Sequence, residues 1–319
     1  MMKDYMLFIL RFFLIITVIS MPWFGYSQEI KIFTTADFDL KGPVKSCLVS
    51  TKYGKETYDF NKAGMLTKSV TRYNDEDYDV TYYKYVQGEL IEKRFENYRN
   101  NIFDSSTSYA NFYVIDTIPV RKVTEKIISY DKEFLDRYEY LYNADGILVK
   151  IIRTNNDGND ETLIEYTDYK GEQTQTNSLN GTILKSVRNS TRKAKDKTEQ
   201  RLVLTKKFLD GEPHTALERI YNNDGKLMLE NKFVQDPIKN QFVPNEVVTY
   251  EYDEMGMLAK IVTKSGKLID VEEFIYQFDN GEAGNWIKEI ITPANTYTTR
   301  KITYHEDEVT TEGDPINED

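Results

Sequence analysis

The chain has one cysteine, two histidines and two tryptophans in 319 residues. A single cysteine excludes an internal disulfide, and the reading favoured for Cys47 is a buried strand thiol. His214 and His305 leave general acid–base chemistry short of parts. No HExxH helix, CxxC pair, nucleophile elbow, or Walker or Rossmann glycine loop is present. Positive charge is also short. Lys and Arg total 41 against 52 Asp and Glu, a net charge of −11. That balance argues against nucleic-acid binding through a general positive field, and no nucleic acid, cofactor or metal is expected.

Long apolar runs are confined to the start. Lys3 precedes a run from Met6 to Val18 that is broken only by Arg11, and Gly25 and Ser27 stand before Gln28. This is the layout of a secretory signal peptide spanning residues 1–27. The alternative is a retained anchor, but the run is short for a full span. The expected compartment is the periplasm, the cell surface or the medium, with no transmembrane span left after cleavage. Residues 306–319 read as an acidic flexible tail, and 28–305 as one repeat domain.

Aromatics are abundant, with 24 Tyr and 16 Phe, a strand-favouring bias. They recur in one phrase: an aromatic, then Asn or Asp, then Gly, then Leu. Copies centre on Gly64, Gly146, Gly225 and Gly256, each with an aromatic four residues before and Leu two after. Looser copies run from Tyr85 to Leu90, Tyr166 to Gly171 and Phe278 to Trp286. Asp or Asn suits the start of a type I turn, and Gly takes the positive φ of a following bulge. Each copy therefore reads as a β-hairpin. The longer intervals, 88 to 146 and 171 to 225, must hold degenerate hairpins or insertions. Stacked hairpins bury a shared face, so the expected fold is all-β: serial antiparallel hairpins in an elongated, twisted or curled sheet. The polar stretch 97–107 reads as a loop, and 111–118 and 121–130 as strands around Pro119.

On these residues, with Tyr58-Asp59, Tyr252-Asp253 and the phrase Gly284-Asn285-Trp286, the chain resembles the tyrosine–aspartate (YD, or RHS) repeat family. The resemblance covers most of 58–304 and implies curved β-sheets. Asn143 and Asn222 stand where that family favours Asp. The phrase Leu40-Lys41-Gly42-Pro43 looks like the start of small exported repeat proteins of Bacteroides-type bacteria. Asn223-Asp224-Gly225-Lys226-Leu227 is also similar to MORN-like hairpin repeats, which imply serial hairpins too.

Candidate binding residues fall in two groups. Tyr138, Tyr140, Tyr250 and Tyr252 either pack across strands or stack on sugars if one face is open. Arg188, Arg192, Lys193, Lys195 and Lys197 form the main basic island. It either binds an anionic partner or balances acidic neighbours. The Asn155–Asn159 cluster reads as a turn, since it lacks a full EF-hand pattern. The functional reading is a non-catalytic exported scaffold that binds an unknown envelope protein or glycan. A carbohydrate-binding module is second and an envelope glycan hydrolase third.

Overall fold

A computed structural model describes residues 30–306 except 237, 280 and 282. The expected signal peptide and all of the tail but Glu306 lie outside the described residues. Twenty antiparallel strands follow a short 3-10 turn at Thr35–Phe38. They are β1 Val44–Thr51, β2 Gly54–Phe60, β3 Leu66–Arg72, β4 Tyr78–Val86 and β5 Glu89–Arg99. Next come β6 Ile102–Asp116, β7 Lys122–Ser129, β8 Phe134–Tyr142, β9 Leu148–Asn155 and β10 Gly158–Tyr169. The second half is β11 Glu172–Leu179, β12 Thr182–Lys193, β13 Glu199–Leu209, β14 Glu212–Tyr221 and β15 Leu227–Asp236. It ends with β16 Gln241–Tyr252, β17 Leu258–Ser265, β18 Leu268–Phe278, β19 Trp286–Thr292 and β20 Thr296–Tyr304.

Each strand pairs with the next, and β20 pairs with β1, Cys47 standing opposite Ile302 and Leu48 opposite Lys301. The sheet is therefore a closed up-and-down barrel, which corrects the expected elongated or curled sheet. Closure removes both unpaired edges that such a sheet would present to other chains.

The repeat phrase sets one rim of the barrel. All connections from an even strand to the following odd strand lie there, and the turns at Gly64, Gly146, Gly225 and Gly256 are four of them. These glycines take φ of 77°, 74°, 77° and 82°. The first turn residue explains why Asn and Asp serve equally. Asn143 accepts through Oδ1 from the amides of Asp145 and Ile147 at 3.0 and 2.9 Å. Asp253 accepts the same way from Met257 at 2.8 Å. Only a carbonyl-type oxygen is used, so the side-chain charge is irrelevant to the turn. The two long intervals hold degenerate hairpins. The β12–β13 turn keeps the same backbone bonds, with Lys197 N donating to Ala194 O at 3.0 Å, and puts Lys197 at φ 70° where the other copies have glycine. The β6–β7 connection contains Pro119.

The 97–107 stretch is strand, not loop. β5 and β6 meet in a two-residue turn, Asn100 and Asn101, both at positive φ. Its polar side chains stitch a bulge: Ser108 Oγ accepts from Asn97 N at 2.9 Å and donates to Asp104 O at 2.6 Å.

Side chains alternate between the two walls. The inward set at the glycine rim is the core. Cross-strand pairs such as Phe60 with Leu66, Tyr142 with Leu148 and Tyr221 with Leu227 line it. Among the described residues, three separate clusters of buried side chains lie along this wall, so the core is distributed along it rather than gathered at the centre. Twenty strands spaced about 4.8 Å apart give a perimeter near 100 Å, and barrels of that strand number leave an aqueous interior.

Candidate functional site

The inner wall holds a recurring arrangement one or two layers in from the glycine rim. Glu125, on β7, accepts from Tyr113 Oη at 3.0 Å, Tyr140 Oη at 2.7 Å and Asn111 Nδ2 at 2.6 Å. Glu230, on β15, is 1% exposed and accepts from Arg219 Nε at 2.6 Å and Tyr250 Oη at 3.0 Å. Glu289 is held by Tyr276 and Glu56 by Tyr58. Burial raises the pKa of Glu56 and of Glu289, against the Tyr hydrogen bond that lowers each. Burial first, then the neighbouring carboxylate, raises Tyr113, Tyr140, Tyr250 and Tyr276. Buried carboxylates are tolerated when hydrogen-bonded. Tyrosine hydroxyls supply that here, so the layer works as structure.

The four candidate tyrosines share one wall. Tyr138, Tyr140, Tyr250 and Tyr252 all point to the inner wall. Tyr250 is buried, Tyr252 donates to Leu227 O at 2.9 Å, and Tyr138 stacks on Tyr140 with Arg153 over its ring. Their period-2 spacing placed them on one face, but not on which wall.

An N-terminal segment crosses the inner wall at the glycine rim. Ile30 and Ile32 pack on the cluster of Leu90, Val123, Tyr142 and Ile164. Phe33 and Phe38 pack on the cluster of Phe60 and Leu66. Leu66 N donates to Phe33 O at 2.8 Å, and Thr35 N to Gly64 O at 2.9 Å. Trp286 Nε1 donates to Asp39 Oδ2 at 3.1 Å, and Arg300, stacked 3.4 Å over the Trp286 ring, donates to Phe38 O at 2.9 Å. Cys47 lies beneath this segment. Burial pushes its thiol up to about 11, against a smaller lowering by Arg300, which removes it as a nucleophile at neutral pH.

The outer wall carries aromatics that the sequence reading did not single out. Tyr78 and Tyr98 stack at 4.7 Å, and Tyr98 continues to Phe103 and then Tyr130. Arg72 lies 4.4 Å over Tyr78. Beside them is a shallow cavity of about 430 Å³ lined by Tyr82, Lys84, Glu92, Arg94 and Glu96, with Thr67 and Tyr83. Glu96 accepts from Tyr130 Oη at 2.6 Å and Tyr98 Oη at 2.9 Å. Burial, then Glu96, pushes Tyr98 up to about 12. The signal was in the sequence: Tyr78 and Tyr82 are four apart and Glu92, Arg94 and Glu96 two apart, the even spacing that marks one strand face.

Strand alternation breaks up the basic island. Arg188 and Arg192 face outward, Arg188 pairing with Glu172 at 3.4 Å and Arg192 donating to Gln200 at 3.1 Å. Lys193 ends β12 facing inward, in register with Glu199. Lys195 and Lys197 lie in the rim turn. His214 is exposed on β14, far along the chain from His305, whose Nε2 is 3.1 Å from Phe60 O and whose N–H bonds Pro43 O. His305 is therefore fastened to the barrel. Asn155 Oδ1 accepts from the amides of Asp157 and Gly158, so that cluster is a turn. Among the described residues no group of three or more His, Cys, Asp or Glu could hold a metal ion, and no helix is long and apolar enough to cross a membrane.

No protein-family profile and no curated protein matches the chain. Solved structures do. A porin-like protein from Bacteroides uniformis ATCC 8492 aligns at 10% identity over 82% of this chain and 99% of its own, with a TM-score of 0.28. TcdB2-TccC3 without its hypervariable C-terminal region aligns at 12% identity over 78% of this chain, with a TM-score of 0.19. This chain spans 19% of that one. Likeness at this level carries no argument about function.

Proposed function

We propose that this chain is an exported, non-catalytic scaffold of the YD-repeat kind, working in water at the cell envelope by binding a partner on its outer wall. One observation carries the reading. Outward positions in the middle of the strands hold charges all the way round, among them Arg94, Lys126, Glu165, Arg188, Glu273 and Lys288. A lipid-embedded barrel needs an outward apolar band about 25 Å tall, and a cation near its midplane costs roughly 2–4 kcal/mol. A wall with charges at this density is built for water. The test is the full chain expressed with export. It should be recovered as a monodisperse protein without detergent and should leave planar bilayers non-conducting. Detergent-dependent solubility together with channel conductance would defeat the proposal.

The carbohydrate reading moves to the outer cavity, favoured by the exposed Tyr82 ring beside Arg94 and Glu96. An apolar ring with flanking charged donors and acceptors suits a sugar's C–H face and hydroxyls. Glycan-array binding that is lost in Tyr82→Ala and Arg94→Ala supports it. Binding unaffected by both substitutions removes it.

A further inference from the structure

The inner wall near the rim opposite the glycines carries a row of hydrogen-bond donors with unbalanced positive charge. Asn177 of β11 is in register with Lys185 of β12, Lys185 with Lys207 of β13, and Lys207 with Thr215 of β14. All four lie on the wall that also carries Arg219 and Tyr221, hence inside the barrel. Like charges directly opposite on neighbouring strands repel and destabilise the pair. Of the nearby inward carboxylates, Glu230 is taken by Arg219 and Glu246 by Lys232, and Glu212, one inward pair nearer the rim than Lys207, is exposed and pairs with neither lysine. The charges acting on Lys185 are Lys207 and Arg219, both cations. Burial comes first among the causes, and together they lower the Lys185 pKa, although solvent reaches the side chain. A concave, wet wall gives that combination. Asn177 Oδ1 is already occupied by Gln175 Nε2 at 2.9 Å, which leaves its amide N–H group to donate.

The described N-terminal segment lies at the other rim, so it does not cover this row. Two ammonium groups flanked by a hydroxyl and an amide donor, in a protein of net charge −11, match a multiply charged oxyanion better than a neutral ligand. We propose that Lys185 and Lys207, with Thr215 and Asn177, form a lumenal site for a soluble phosphate-type oxyanion that enters through this mouth. The site is independent of the outer-wall reading above. Either stands if the other fails.

Inorganic pyrophosphate is the probe, titrated calorimetrically into the full chain at low ionic strength. The wild type should bind it, and Lys185→Gln/Lys207→Gln should bind at least about tenfold more weakly. The outward control Arg188→Gln/Arg192→Gln should match the wild type. Binding should weaken as sodium chloride is raised. Without ligand, the double lysine variant should melt at or above the wild-type temperature, because the repulsion is gone. With pyrophosphate only the wild type and the outward control should gain stability. Phosphatidylglycerol vesicles distinguish a lipid headgroup source, and sedimentation with them should not depend on the lysine pair. The proposal is overturned by absence of pyrophosphate binding, by binding that survives in a folded lysine variant, or by lysine-dependent sedimentation with vesicles.

Discussion

Removing Arg219 should cost the barrel more than removing its partner Glu230, and removing both should cost least. Glu230 is 1% exposed, whereas the Arg219 side chain is 32% exposed. In Arg219→Met the carboxylate stays buried with only the Tyr250 hydroxyl. Breaking a buried pair by deleting one partner costs about 3–5 kcal/mol. Arg219 itself reaches water, which screens the pair, so the expectation here is about 2–3 kcal/mol. In Glu230→Leu the guanidinium turns to solvent and the main loss is the Tyr250 hydrogen bond, about 1 kcal/mol. In the double variant two well-packed apolar side chains face each other between β14 and β15, and the net change should be within about 1 kcal/mol of the wild type. The three variants and the wild type form a cycle with a coupling energy of about 2 kcal/mol or more. Equilibrium unfolding in urea at pH 7 measures it. Equal, small effects of the two single substitutions and a coupling near zero would refute a buried Arg219–Glu230–Tyr250 contact.

Two other substitutions probe the turns and the buried acids. Gly146 has φ 74° and open space where a Cβ would stand, so Gly146→Ala should cost only the left-handed backbone penalty, about 1 kcal/mol net of the gain from a stiffer unfolded chain. Gly54→Ala should cost clearly more by the same urea assay, because its Cβ would lie 2.3 Å from the Arg72 carbonyl oxygen. Glu289 is raised by burial, so its charged form costs stability above its folded pKa, and that cost is relieved as pH falls through it. Glu289→Gln should therefore raise the melting temperature at pH 7.5, with the gain shrinking toward acid pH. A pH-independent effect would contradict the assigned burial.

The hairpins were legible because turn chemistry is local: Asn143 and Gly146 define their turn with bonds spanning four residues. The hairpin at 100–101 was hidden because polar side chains, Asp104 and Ser108 above all, bond its bulge and so break the apolar alternation. Closure was not legible. It depends on β1 meeting β20, a contact between opposite ends of the chain that no local pattern encodes, and on strand number and tilt. The placement of the binding candidates was not legible for a related reason. A period of two says which residues share a face, and only closure says which face is inside. That placed Tyr140 and Tyr250 in the wall, put Tyr82 outside, and separated Lys185 and Lys207 from Arg188 and Arg192. The inward glutamates were missed because a carboxylate in a strand reads as exposed unless its tyrosine partners on neighbouring strands are known.

Closure itself is the central claim, and one cross-link tests it. Leu48 of β1 and Lys301 of β20 are opposite one another on the outer wall. In a paired register their Cα atoms fall within the roughly 4.4–6.8 Å that a disulfide spans. Leu48→Cys combined with Lys301→Cys should therefore close an intramolecular disulfide on mild oxidation of the folded protein. Peptide mass spectrometry should find the two segments joined, and Cys47, buried on the inner wall, should remain a free thiol. An open sheet would leave both new thiols free or link them only between molecules, and that result would contradict the barrel.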